Sequence, residues 1–153
     1  MAAGNGAKAL IDTPGKSSGF NLVGAIGNGA DARVISGSTN LVLAAGDKAT
    51  ASADGLVNLA AAFGSNSKAT AIGNLNKALV IGSNSSADAE GGVKSASAGI
   101  GLKNIGGNTA ITIGNNSHST AGTVPPAGGV TNNLSDNLKF AIALGNNKTV
   151  HNP

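Results

Sequence analysis

The residues of this chain best suited to chemistry are two histidines, seven carboxylates and one glycine-lysine-serine run. In "LIDTPGKSS" (10–18), Asp12 to Gly15 matches Asp-x-x-Gly, and Gly15-Lys16-Ser17 matches the close of a loop whose backbone N–H groups cradle phosphate. The full loop needs a glycine five residues before Gly15, where the chain has Leu10, so nucleotide binding is not expected. "GIGLKNIGG" (99–107) is a glycine pattern without the strand, helix and acidic partner of a dinucleotide site, and reads as a bent rung. His118 is a candidate general base, while His151 stands near the terminus. The carboxylates Asp31, Asp47, Asp54, Asp88 and Glu90 recur at no one repeat position, which argues against a calcium roll. With no cysteine there is no disulfide or thiolate metal site. No catalytic group, metal or cofactor is expected.

The elements that would position these groups follow from composition. At 153 residues the chain has one-domain length, yet it holds three phenylalanines and neither tryptophan nor tyrosine, so a core of large aromatics is excluded. Glycine accounts for 24 residues, well above the usual share of about 7%, and points to a repeat. The formal charge of +3 is spread over the chain without a basic run or interleaved aromatics, so nucleic acid is not an expected partner. No stretch approaches the roughly 20 apolar residues of a membrane helix, and membrane insertion is not expected. "MAAGNGAKALIDTPG" lacks a charged start followed by an apolar run, so a leader is absent or already removed.

An apolar run closed by glycine recurs as "NLVGAIG" (21–27), "NLVLAAG" (40–46), "NLAAAFG" (58–64), "NKALVIG" (76–82), "NTAITIG" (108–114) and "LKFAIALG" (138–145). A weaker copy, "SASAGIG", occupies 95–101. Gly27, Gly46, Gly64 and Gly82 are spaced 19, 18 and 18 apart, and Gly37, Gly55, Gly73 and Gly91 follow them by nine or ten. Two strands and two turns per repeat describe an all-β parallel solenoid of about seven coils. Residues 1–20 read as a flexible or capping segment, 21–121 as solenoid, 122–136 as a Pro/Gly-rich loop, and 137–153 as the last coil and cap. Asparagine at a fixed turn position tolerates left-handed backbone angles and can form hydrogen-bonded ladders along the axis. A helical reading fails, because a glycine every nine residues costs each helix about 1 kcal/mol per interior copy and leaves it shorter than the usual roughly 11 residues.

Sorted by the strand period of two, each repeat carries two columns before its glycine. One is bulky, as in Ile81 and Leu79 or Ile113 and Ile111. The other is small: Val23, Ala25, Val42, Ala44, Ala60, Ala62, Ala78, Val80, Ala110, Thr112, Ala141 and Ala143. The period leaves open which of them faces the coil interior. After the glycine comes a strand with one small face and one polar face, the latter holding Asp31, Thr50, Lys68, Ser86, His118 and Thr149. That polar column is the candidate contact set, and it places His118 beside lysine, aspartate and threonine equivalents, where a solvated side chain is expected.

A coil has one inside, so an apolar outer face on the first strand needs a cover, either an adjacent part of the same chain or other copies of it. Small side chains permit identical chains to approach closely about an axis, which favours self-association and makes the small column the expected oligomer face.

The phrases "AIGNGADA" (25–32), "VIGSNSSADA" (80–89), "ITIGNNSHSTA" (111–121) and "IALGNNKTV" (142–150) resemble the head repeats of trimeric autotransporter adhesins. The resemblance covers most of 21–121 and 137–150. It implies a left-handed parallel β-roll, a homotrimer, and an extracellular or cell-surface module that attaches to host matrix protein, glycan or other cells. A spacer or phage-fibre element would use the same roll. Ice binding is the alternative from another class: flat solenoids low in aromatics can present threonine arrays, though charges at Asp31 and Lys68 interrupt this one.

Overall fold

Short apolar strands that end on glycine cannot extend, so they turn and stack. The computed structural model describes residues 1–12, 19–91, 106–122 and 138–153. Sheet I stacks β1 (Ala2–Ala3), β3 (Leu22–Ile26), β5 (Leu41–Ala45), β7 (Leu59–Phe63), β9 (Lys77–Ile81), β11 (Thr109–Ile113) and β13 (Phe140–Leu144) in that order. Sheet II stacks β2 (Lys8–Ile11), β4 (Asp31–Ser36), β6 (Thr50–Asp54), β8 (Lys68–Gly73), β10 (Ser86–Gly91), β12 (His118–Ala121) and β14 (Thr149–Asn152). Consecutive strands alternate between the sheets and all pairings are parallel. The described residues therefore form an all-β parallel solenoid of seven coils, as the repeat predicts.

The seven coils are not all the ones the glycine spacing marks out. The first is built from β1 and β2, within the segment expected to be flexible or capping. Strand β9 pairs directly with β11, Lys77 opposite Thr109, so the coil ending at Gly82 stacks on the one ending at Gly114. The weak copy at 95–101 lies outside the described residues, as do most of the 122–136 loop and the greater part of the 10–18 run.

The interior corrects the expected oligomer face. Val23, Ala25, Val42, Ala44, Ala60, Ala62, Ala78, Val80, Ala110, Thr112, Ala141 and Ala143 are all buried within the single chain. All but Thr112 and Ala143 join the small column of sheet II, Ala32, Val34, Ala51, Ala53, Ala69, Ala71, Ala87 and Ala89, in one core. Two sheets joined by tight turns leave room between them only for side chains of alanine to valine size, so volume decides the question that hydrophobicity left open. The bulky column points outward.

Spacing has a local readout as well. Ten residues separate Gly27 from Gly37 where nine separate Gly46 from Gly55, and the surplus residue appears as a register shift between Val34 and Ser36 in the pairing of β4 with β6. The bulge turns Ile35 out to solvent.

The two corners are built differently. At the first, glycine closes each sheet I strand; Gly64 has φ 128°, and a Cβ there would strike the carbonyl oxygen of Gly82. The left-handed position two residues later is filled by Gly29, Lys48, Asn66, Asn84, Asn116 and Asn147. At the second corner a column of asparagines links coil to coil. Asn40 Oδ1 accepts the backbone N–H of Asn58 at 2.9 Å, Asn58 Oδ1 that of Asn76 at 2.9 Å, and Asn76 Oδ1 that of Asn108 at 3.0 Å. The same amides donate through Nδ2, Asn40 to Gly55 O at 2.8 Å and Asn58 to Gly73 O at 2.7 Å. The expected ladder is thus amide to backbone. It closes the polar groups of a sharp turn that would otherwise be buried unpaired.

Just before Asn40, Asn58 and Asn76 the backbone is again left-handed, at Thr39, Val57 and Leu75, as it is at Gly107 before Asn108 and at Leu138 before Lys139. This conformation costs a residue bearing a Cβ about 1–2 kcal/mol.

Candidate functional site

In-register stacking converts each repeat position into a row, so the surface is best described by rows. On the outside of sheet I the pairing sets Leu22, Leu41, Leu59, Lys77, Thr109 and Phe140 in one row. A second runs Gly24, Leu43, Ala61, Leu79, Ile111, Ile142, and a third Ile26, Ala45, Phe63, Ile81, Ile113, Leu144. Leu22, Ile26, Phe63, Ile81, Ile113, Phe140, Ile142 and Leu144 are exposed, with Phe140 and Leu144 reaching 61% and 60%. Lys77 is the charged member of these rows. Seven strands at about 4.8 Å and five residues at about 3.3 Å give a face on the order of 500 Å². Covering it would release on the order of 10 kcal/mol before the entropy of association is subtracted.

The outside of sheet II is polar. Asp31, Thr50, Lys68, Ser86, His118 and Thr149 lie in one unbroken row, as the sequence spacing requires. Their side chains are exposed or half-buried, and Arg33 Nη2 donates to Asp31 Oδ2 at 2.6 Å. The neighbouring row, two residues on, holds Arg33, Ser52, Thr70, Asp88, Thr120 and His151.

Where the two rows meet, His118 gathers its neighbours. Ser86 Oγ hydrogen-bonds His118 Nδ1, Thr120 Oγ1 lies 2.7 Å from Nε2, and a carboxylate oxygen of Asp88 stands 4.0 Å from Nδ1. Spacing alone brought out Ser86 and His118; it missed Asp88 and Thr120, which the strand period places one step along the same two strands. A serine against a histidine nitrogen is the beginning of a nucleophile and base pair. Acyl transfer also needs free donors aimed at the developing oxyanion. Strand β10 is paired on both edges, with β8 and β12, so its backbone N–H groups are committed to the ladders. Ser86, His118 and Thr120 form a hydrogen-bonded cluster on the outer face of sheet II.

Among the described residues no group of three or more His, Cys, Asp or Glu side chains is placed to hold a metal ion. No described helix is long and apolar enough to cross a membrane. No protein-family model matches the chain, and neither a curated protein nor a solved structure is similar to it.

Proposed function

We propose that this chain is a non-enzymatic structural and adhesion module, displayed outside the cell, in which several copies associate and leave their polar walls free for attachment. The observation that carries the reading is the outer face of sheet I: eight exposed large hydrophobics in three rows, on a protein whose own core is already closed by alanine and valine. A face of that kind is stable in water when it is covered. Self-association, as the homotrimer that the adhesin-head resemblance implies, covers it with chains of the same pitch. The polar rows of sheet II, with Asp31, Thr50, Lys68, Ser86, His118 and Thr149, are then left to meet host matrix protein or glycan.

The test is the mass of the purified chain in solution, followed by binding to immobilised matrix proteins and a glycan array. An oligomer that binds either surface supports the reading. A single chain at every concentration removes self-association, and an oligomer that binds neither leaves a structural spacer.

Ice binding is the second reading, favoured by one feature. The register of sheet II puts Thr50 and Thr149 in one outer row, with Lys68, Ser86 and His118 between them, and Thr70 and Thr120 in the next, on either side of Asp88. Absence of thermal hysteresis would dispose of it.

A further inference from the structure

We propose that Asn5 is a site of spontaneous covalent modification, at which the backbone nitrogen of Gly6 closes on the side-chain amide to give a succinimide and then aspartate or isoaspartate. The inference is independent of the self-association proposed above. Two stretches of identical sequence, Gly4-Asn5-Gly6-Ala7 and Gly27-Asn28-Gly29-Ala30, make the first corner of the first two coils. Each places asparagine before glycine, the residue with no Cβ to obstruct its own nitrogen. The backbones match as well, with φ of 69° at Gly6 and 67° at Gly29, and Asn5, Gly6, Asn28 and Gly29 are all exposed. Local sequence, glycine conformation and exposure therefore do not distinguish the two pairs.

Hydrogen bonds do. Gly29 N–H donates to Asn5 O at 2.8 Å, and Asn28 Oδ1 accepts the N–H of Asn5 at 3.4 Å. Both reacting groups of Asn28 and Gly29 are thus engaged by the first coil. Among the described residues neither Gly6 N–H nor the Asn5 side chain has a hydrogen-bond partner. The first coil is held in sheet I by two pairs, Ala2 opposite Ala25 and Ala3 opposite Ile26, which lowers the cost of the local movement that ring closure requires.

In the reaction the Gly6 nitrogen bonds to Asn5 Cγ, the Cγ–Nδ2 bond breaks, and ammonia leaves with the amide proton. Water then opens the ring. Opening at Cγ gives aspartate; opening at the former backbone carbonyl gives isoaspartate, whose chain runs through the side-chain carbon. Either product sets a carboxylate at the first corner. At Asn28 the same step first requires Gly29 N–H to leave the ladder between coils.

The test incubates the full chain in warm, mildly alkaline buffer, folded and in concentrated urea, and follows both asparagines by peptide mapping with mass spectrometry. Urea supplies the intrinsic rate of each pair. Folding should slow the reaction of Asn28 at least ten-fold more than that of Asn5. Equal slowing of the two, or faster loss of Asn28 in the folded chain, overturns the proposal. Gly6→Ala puts a methyl beside the attacking nitrogen and should slow the loss of Asn5 at least ten-fold. An undiminished rate at Asn5 in that variant overturns closure through Gly6.

Discussion

Asn58 and Asn76, 18 residues apart in sequence, are joined so that the side-chain oxygen of one accepts the backbone N–H of the other at 2.9 Å. Both are buried, at 3% and 0% exposure, and Asn58 also donates to Gly73 O. One amide thereby satisfies a donor and an acceptor on two different backbone segments of a turn that water does not reach.

Asn58→Ala should therefore destabilise the fold by about 2–4 kcal/mol, since it strands a buried N–H and a buried carbonyl. Asn58→Asp should cost at least as much, because the carboxylate cannot donate to Gly73 and is desolvated. Urea unfolding followed by circular dichroism measures both, and a loss below about 1 kcal/mol for either would contradict the role given to the amide.

Gly64→Ala tests the first corner. The glycine has φ 128°, and an added methyl would meet the carbonyl oxygen of Gly82 in the next coil. Backbone strain and collision together should cost at least about 3 kcal/mol. Gly29→Ala, at φ 67° where other coils carry Lys48 and Asn66 and where a Cβ has only the side chain of Lys48 at 3.7 Å, meets a milder strain and no collision and should cost less. Equal losses in thermal unfolding would contradict the strain and collision assigned to Gly64.

In the coil of β11 and β12 two inward-facing strand positions carry hydroxyls. Thr112 Oγ1 lies 2.7 Å from Ser119 Oγ and donates to Ser86 O at 2.6 Å, where other coils have alanine or valine. Removing both hydroxyls in Thr112→Val/Ser119→Ala should leave stability within about 1 kcal/mol of the parent. Each single change should be at least as costly as the pair, which a double-mutant cycle reads directly.

Ile81→Lys tests the apolar face. Ile81 is 46% exposed in the lone protomer, and Lys77 already stands on the same outer face, two rows away. Protomer stability should stay within about 0.5 kcal/mol, while association weakens at least ten-fold. Sedimentation equilibrium that shows no change would remove sheet I from the interface.

Much of this architecture is legible from residue order, because a period of two inside a period of 18 has few physical realisations. The strands at "NLAAAFG" and "NKALVIG", the two turns per coil and the row from Asp31 to Thr149 all follow from it. The first coil was legible too: "GNGAKA" at 4–9 repeats "GNGADA" at 27–32. Inside and outside were not. In a chain where Ala62 and Phe63 are both apolar, hydropathy ranks neither face, and only the volume between two tightly turned sheets sends alanine in and phenylalanine out. The second corner was hidden for another reason. Thr39, Val57 and Leu75 are residues of strands by type, and their left-handed backbone is forced by closure of the coil. The cluster around His118 lay between these cases, since Asp88 and Thr120 sit where the period puts them but belong to a row that drew no notice.

Backbone hydrogen bonds between coils run along the solenoid axis, which gives the molecule a defined mechanical weak point. β1 meets β3 through Ala2 opposite Ala25 and Ala3 opposite Ile26, whereas β5 meets β7 through five such pairs. Stretched between its ends, the protein should peel one coil at a time beginning at the amino end, so that a force trace shows a staircase of small steps in place of a single rupture.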